Sequence, residues 1–452
     1  MKFGGTSVKD AAAMENVLGI VKSAKDRNPV VVLSACSGIT DKLLKLVNSA
    51  SKKPFNKILP EISEIKEHHL KIVQELIKDE LIRNDCIEIV KTLTSQLEKF
   101  IEGVTLLKEC TPRSQDTAAS FGELLSTSVF ESACRAKGIN SVFADARQIM
   151  QTDSNFMQAN VDFEATRQNA EKIISPSSEK NKIFITQGFI GSDGNGITTT
   201  LGRGGSDYSA AVLGSVLGVE EIQIWTDVSG ILTADPRLVR NARTIQQMGF
   251  ETVRELSFFG AKVLHPDTIK PAIENRIPVR VLNTFKPKEA GTLILETLAD
   301  TSSKLQSVHL KRNCLQVSVA LPYQQNPHHV MEEIIRKSAE FVLQFVSLSY
   351  FDANALILID NTQPAENMIK DILYNYKHRI NKTALLCMCG VNLNGNVSQK
   401  NTIPENLTAV LSPFSPNSIL YGVSQSSIIA SVPEENAEKA LEAVHELVLK
   451  NS

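Results

Sequence analysis

An excess of charge of one sign is almost absent from this sequence. Its 48 lysines and arginines face 50 aspartates and glutamates, for a net charge of −2. That balance argues against a dedicated nucleic-acid surface. Long hydrophobic runs are missing too. Stretches such as Val30 to Leu33 fall far short of the roughly 20 residues a bilayer crossing needs. The N-terminus lacks the apolar core of a signal peptide. Neither a membrane nor a nucleic acid is an expected partner, and a soluble cytoplasmic protein is expected. Cysteine is sparse: seven residues, an odd number and scattered, which suggests a reducing compartment. Cys387 and Cys389 are expected on one strand face as buried thiols. His68-His69 and His328-His329 read as solvated surface rather than metal ligands. A Walker A loop is also missing from the start of the chain: in Lys2-Phe3-Gly4-Gly5-Thr6-Ser7-Val8 the lysine precedes the glycines.

What is present is a set of small-residue loops at the ends of apolar strands. The most informative runs from Thr198 through Leu201-Gly202-Arg203-Gly204-Gly205-Ser206-Asp207 to Ala211. It reads as a strand end, a glycine loop and a helix start, with Ser206 or Asp207 expected to cap the helix. Glycines let backbone N–H groups approach an anion, and a helix N-terminus adds partial positive charge. Arg203 adds a planar fork that fits a carboxylate or a phosphate. Asp207 would repel such an anion, which makes sense if the ligand also carries a cation such as an α-ammonium group. Taken alone, the loop could equally be a capped helix after a flexible turn.

The rest of the chain repeats the pattern. Lys2 to Val8 is a candidate phosphate cradle. A helix over Ala11 to Lys25 leads to the buried strand Val30 to Leu33, which runs into Ser34 to Asp41, a second small-residue loop opening a helix. Strand, loop and helix in this order are what a parallel α/β sheet requires, with ligands at the carboxyl ends of the strands. Lys52 to Lys108 reads as amphipathic helix with no chemistry, ended by Pro112. Glu123 is expected early in the next helix, where an acidic residue usually just complements the helix dipole. Strands follow at Val142 to Ala144 and Ile183 to Thr186, with a hairpin turn at Asp193-Gly194-Asn195-Gly196. The strand Glu221 to Trp225 ends in Thr226-Asp227. Arg237 and Lys262 come soon after, and such hydroxyl and positive groups suit a nucleotide, although each could be a cap or a surface charge. Val279 to Leu282 is expected to be the last strand of this block. From about Ser303, two small βαββ-type sets read as a regulatory half with few catalytic-looking residues.

In order along the chain, Lys2 to Val8, Gly122-Glu123-Leu124, Gln187 to Gly191, Thr198 to Tyr208, Trp225 to Val228 and Phe259 to Pro266 resemble the motifs of the aspartokinases, in the amino-acid kinase family. The resemblance covers almost the whole chain and looks closest to the monofunctional, lysine-sensitive branch. It implies an α/β amino-acid kinase fold, a central, mainly parallel sheet sandwiched by helices over residues 1–298, with 52–110 as a helical segment. Two α+β ACT-type modules over 303–380 and 381–452 would follow, with strands that can interleave. The implied reaction is ATP plus L-aspartate giving 4-phospho-L-aspartate and ADP, the first step toward lysine, threonine and methionine. A β-carboxylate nucleophile, with a pKa of about 3.9, needs no general base, so alignment and charge stabilisation must supply the catalysis.

Carried over by motif, Lys2 would bridge the transferring phosphoryl oxygens, and Gly4 and Gly5 would offer N–H donors. Asp207 would orient Lys2 and the substrate. Arg203 would clamp the α-carboxylate and Glu123 the ammonium group, with Ser34, Thr40, Gly204, Gly205 and Ser206 completing the aspartate site. Thr226, Asp227, Arg237, Lys262 and Val263 would hold ATP, with Mg2+ riding on its phosphates and no dedicated protein cage. ACT modules imply a homodimer or higher homo-oligomer and an amino-acid effector, lysine foremost. Three departures from the family pattern stand out. Only Met1 precedes Lys2, where the family has several strand residues: either the start is trimmed or misplaced, or the first strand is very short, and a short first strand could loosen Lys2. Leu232 replaces a tyrosine beside the nucleotide. Asn326-Pro327-His328-His329-Val330 and Tyr350 to Asn354 replace effector-loop segments, so weakened or altered lysine inhibition is expected.

Overall fold

The computed structural model describes the chain except for residues 175–181, 260–265, 299–301, 323–325, 341–343, 352–353, 362–364, 394–402, 423 and 451–452. It divides into two compact units. The first comprises Met1–Ile231, Thr244–Phe250 and Val263–Thr297, and the second Leu232–Arg243, Glu251–Lys262 and Leu298–Ser452.

The first unit is built on an eight-stranded sheet. Its spatial order is Ser141–Phe143, Ile183–Gln187, Val30–Leu33, Lys2–Phe3, Ile222–Thr226, Val279–Asn283, Thr292–Leu295 and Gln247–Gly249. The first six run parallel. Apolar runs such as Val30–Leu33 fit strands covered on both faces. Thr292–Leu295 turns back antiparallel to Val279–Asn283, and Gln247–Gly249 pairs parallel to it at the edge. Val279–Asn283 is therefore not the last strand of the block. The two edge strands are only three and four residues long, too short for alternation to announce them.

The helical segment forms Leu59–Leu76 and Glu80–Leu107. The second helix buries Cys86, Val90, Leu97, Ile101 and Val104 on one stripe, each large apolar side chain contributing roughly 1.5–3 kcal/mol by leaving water. His69 overturns the surface expectation. It is fully buried, and its Nδ1 lies 2.7 Å from the Ile65 carbonyl oxygen. Four residues apart on one helix, the two meet on its packed face, and burial lowers the imidazole to about 4.

The second unit has a six-stranded antiparallel sheet in the order Gln344–Phe351, Asn354–Asp360, Lys304–Ala320, Lys377–Val391, Ser427–Val432 and Ser418–Leu420. Its two central strands are 17 and 15 residues long, and they join both α+β sets into one sheet. The full length of the first of them was not legible in the sequence. A register shift between Lys311 and Cys314 breaks the alternation there, and Lys311-Arg312-Asn313 hides the continuation. Cys387 and Cys389 are both buried, their sulfurs 3.4 Å apart, and burial pushes the Cys387 thiol up. Among the described residues no helix is long and apolar enough to cross a membrane.

Candidate active site

Parallel strands release their loops at one end, so Gly4-Gly5, Ser34 to Gly38 and Thr226-Asp227 emerge side by side. The loops are stitched together. Ser34 N–H donates to the Phe3 carbonyl at 3.2 Å and Ser37 N–H to the Gly5 carbonyl at 3.1 Å. A Cβ on Gly5 would come within 2.9 Å of the Ala35 carbonyl oxygen, so only glycine allows this approach. The Gly4 N–H donates to the Trp225 carbonyl at 3.2 Å. It continues the sheet ladder one residue past Phe3, which corrects its expected use as a free donor.

These loops and the Arg203 loop enclose a cavity of about 540 Å³. Of the residues singled out from the sequence, it brings together Lys2, Gly4, Gly5, Ser34, Thr40, Glu123, Arg203, Gly204, Gly205, Ser206, Asp207, Thr226 and Asp227. Two helices, Ile39–Ala50 and Gly205–Leu217, start at this cavity. Each has a left-handed glycine at its N-cap, Gly38 with φ 79° and Gly204 with φ 73°, and neither has a side-chain cap. Ser206 and Asp207 are therefore not caps, because they lie inside the first turn. With no side chain folded over the N-termini, their positive ends are left for an anion.

Four charged groups shape the cavity. Lys2 Nζ and Asp207 Oδ1 form an ion pair at 2.7 Å, largely buried. Arg203 is exposed and has no carboxylate partner among the described residues. Glu123 is 3 % exposed. It sits in the middle of the helix Pro112–Ala136, not in a first turn, so the dipole reading falls away. Its Oε1 accepts from the Ala35 N–H at 3.2 Å, while Oε2 has no partner. Burial pushes its carboxyl up to about 8, against the Ala35 hydrogen bond.

Not every expected residue joins them. Arg237 lies in the second unit, because its neighbours Ala234 and Val239 belong to that unit's core. Its guanidinium grips Asp235 at 3.0 and 2.6 Å. Leu232 also lies in the second unit, half-buried. Lys262 and Val263 lie outside the described residues. The cavity is also lined by Phe189 and Asp41, which stood inside recognised loops without a role. Behind it sits a residue the sequence did not flag, Asp116, fully buried seven positions before Glu123. Among the described residues, no group of three or more His, Cys, Asp or Glu side chains could hold a metal ion.

Glycine loops at parallel strand ends, a lysine held by an aspartate and two open helix N-termini define a phosphoryl-transfer site of one class: the amino acid kinase family model matches residues 1–283, and the chain belongs to that family. Within the family it is an aspartokinase-type chain. It is 32% identical to Aspartokinase 1, chloroplastic, of Arabidopsis thaliana over 98% of this chain and 79% of the relative. The structure of E. coli aspartokinase III in complex with lysine and aspartate superposes with a TM-score of 0.82 at 30% identity, covering 99% of this chain and 98% of that one. The same enzyme in complex with aspartate and ADP gives 0.77 at 30% identity, with 99% of each chain covered.

Proposed function

We propose that this chain transfers the γ-phosphoryl group of ATP to the β-carboxylate of L-aspartate, giving 4-phospho-L-aspartate and ADP. One observation carries the reading. The Lys2–Asp207 pair, two uncapped helix N-termini, the exposed Arg203 and the buried Glu123 all converge on one cavity. That set matches a zwitterionic amino acid lying beside a phosphate chain.

Arg203 grips the α-carboxylate with its planar fork. Glu123 takes the ammonium group on its unpartnered oxygen. Thr40, Ser34 and Ser206 add hydroxyls. The β-carboxylate is then held against the transferring group, already ionised, so alignment replaces base catalysis. Lys2, steadied by Asp207, meets the charge on the phosphoryl oxygens. Such a preorganised contact is typically worth about 2.7–4 kcal/mol in the transition state. Thr226 and Asp227 lie on the nucleotide side. Arg237, Lys262 and Val263 belong to the same expected nucleotide set. Magnesium would arrive on the phosphates and offset their charge, and Asp207 and Asp227, which line the cavity, would accept from its water shell.

Regulation by an amino acid bound in the second unit belongs to this reading, since a similar structure contains lysine. The response to lysine is altered, however. In the replaced loop the Tyr350 hydroxyl pairs with His328 Nδ1 at 2.6 Å, and His328 N–H donates to Asn326 Oδ1. These polar groups thereby satisfy one another. A homo-oligomer completes the proposal, and light scattering that gave a monomer mass would remove it.

The test is ATP-dependent acyl phosphate formation from L-aspartate, trapped with hydroxylamine, with and without millimolar lysine. Product that lysine leaves unchanged supports both the enzyme and the altered effector site. Strong inhibition by lysine keeps the enzyme and overturns the altered response. Turnover of another amino acid but not aspartate overturns the reaction assignment.

A further inference from the structure

The helix that carries Glu123 also holds the arginine loop. Asp116, on the same helix, is fully buried, and its carboxylate accepts four hydrogen bonds. Thr200 N–H donates at 3.0 Å and Thr200 Oγ1 at 2.6 Å. Met157 N–H is shared between both oxygens at 3.0 and 3.1 Å. A carboxylate so far from water persists only when its lone pairs are met in this way.

Thr200 is the root of the Arg203 loop. Its carbonyl accepts from Ala159 N–H at 2.9 Å, Leu201 N–H donates to the Phe189 carbonyl at 2.9 Å, and Gly205 N–H donates to Gly202 at 3.0 Å. The loop is thus a tight coil with one fixed base. Seven residues make nearly two helical turns, so Asp116 and Glu123 lie on one face of the same rod, about 10 Å apart.

We propose that Asp116 is a positioning residue that sets the spacing between Arg203 and Glu123, and so selects the α-amino acid head group of the substrate. This rests on the assignment of Arg203 and Glu123 to the two ends of aspartate. Asp116 touches neither substrate nor nucleotide. It acts through Thr200 on the arginine and through the helix on the glutamate. Lys2, Gly5 and Thr226 belong to other strand ends, so the nucleotide side is outside its reach.

The experiment uses the full chain with Asp116→Ala, Thr200→Val and Thr200→Ser. Alanine removes every acceptor of the clasp, valine removes only the hydroxyl bond, and serine restores it. Steady-state kinetics are measured for aspartate and ATP, with backbone hydrogen exchange over 200–207 as a second readout. The expected result is a KM for aspartate raised roughly 10- to 100-fold in Asp116→Ala, less in Thr200→Val, and back near wild type in Thr200→Ser. The KM for ATP stays within about twofold and kcat falls less than KM rises. Exchange quickens at 200–207. An unchanged KM for aspartate in a folded Asp116→Ala chain overturns the proposal, as does an equal rise in both KM values. Should Asp116→Ala fail to fold, Thr200→Val decides alone by the same criteria. If the wild-type chain does not phosphorylate aspartate, the functional reading fails. Exchange then judges the clasp alone: faster exchange at 200–207 supports it, and unchanged exchange overturns it.

Discussion

The two units treat charge differently. In the second, most charged groups pair with one another, although Asp360 Oδ1 and Glu255 Oε2 are buried without a hydrogen-bond partner among the described residues. Lys311 pairs with Asp360 at 2.5 Å, Arg312 with Glu434 and Glu438, and Lys337 with Glu333. Arg237 is held by Asp235. In the first unit's cavity they are left incomplete. Arg203 has no carboxylate partner among the described residues, and one oxygen of Glu123 has no donor. Buried or crowded polar groups are normally satisfied. Incomplete groups occur in both units, Asp360 Oδ1 and Glu255 Oε2 among them in the second; what sets the first unit's cavity apart is that Lys2, Glu123, Arg203 and Asp207 converge on one open space.

The hardest blow to this contrast comes from removing one partner of the second unit's buried pair. Asp360→Ala leaves Lys311 without its carboxylate and should cost about 3–5 kcal/mol, read by urea denaturation. A loss below about 1 kcal/mol would mean the pair is not part of that unit's stability. Lys2→Ala should remove about 2.7–4 kcal/mol of transition-state stabilisation, a fall in kcat of roughly 100- to 1,000-fold in a chain that still folds. A fall in stability with kcat unchanged would make Lys2 a structural ion pair like those of the second unit.

Arg203→Ala should raise the KM for aspartate about 10- to 100-fold, the value of a charge-assisted contact, with kcat less affected. Glu123 offers a test by pH. Its folded carboxyl, at about 8 against an ordinary 4.5, keeps a proton that the unfolded chain releases. The stability it adds is full below about pH 4.5 and is lost as pH rises through about 8. An ammonium group paired with this carboxylate must displace that proton. Aspartate binding at pH 7 should therefore release close to one proton, measured by calorimetry in two buffers of different ionisation enthalpy. Glu123→Gln should release none. Binding without proton release would mean that Glu123 does not meet the ammonium group. The smallest effect is expected at Arg237. Its pair with Asp235 is exposed, and such pairs contribute little, so Arg237→Ala should change the KM for ATP by less than about twofold. A larger rise would show that this pair opens to the nucleotide.

The loops of the candidate site were legible because each is a local device. Gly4-Gly5, Ser34 to Thr40 and Gly202 to Asp207 sit where an apolar strand stops, and glycines and hydroxyls there have few other uses. Glu123 was misread because the helix Pro112–Ala136 starts among polar residues that give no apolar stripe. Asp116 was invisible for the same reason, since it falls in the helix's second turn and looks like an ordinary acidic residue near a helix start. The edge strands Gln247–Gly249 and Thr292–Leu295 escaped because three or four residues cannot display a period. His69 escaped because one polar residue on an amphipathic helix gives no sign of which side of the apolar stripe it occupies.

The sequence by itself determined the order of the small-residue loops, the parallel sheet that presents them and the charge types at their tips, since these follow from chain-local propensities. Only the tertiary structure decided which charges remain available. Burial raised the Glu123 carboxyl, packing drew Ala234 and Val239 into the second unit and Arg237 with them, and a helix turned Asp116 onto Thr200. Protonation and pairing depend on distance and exclusion of water, and neither quantity exists until the chain has folded.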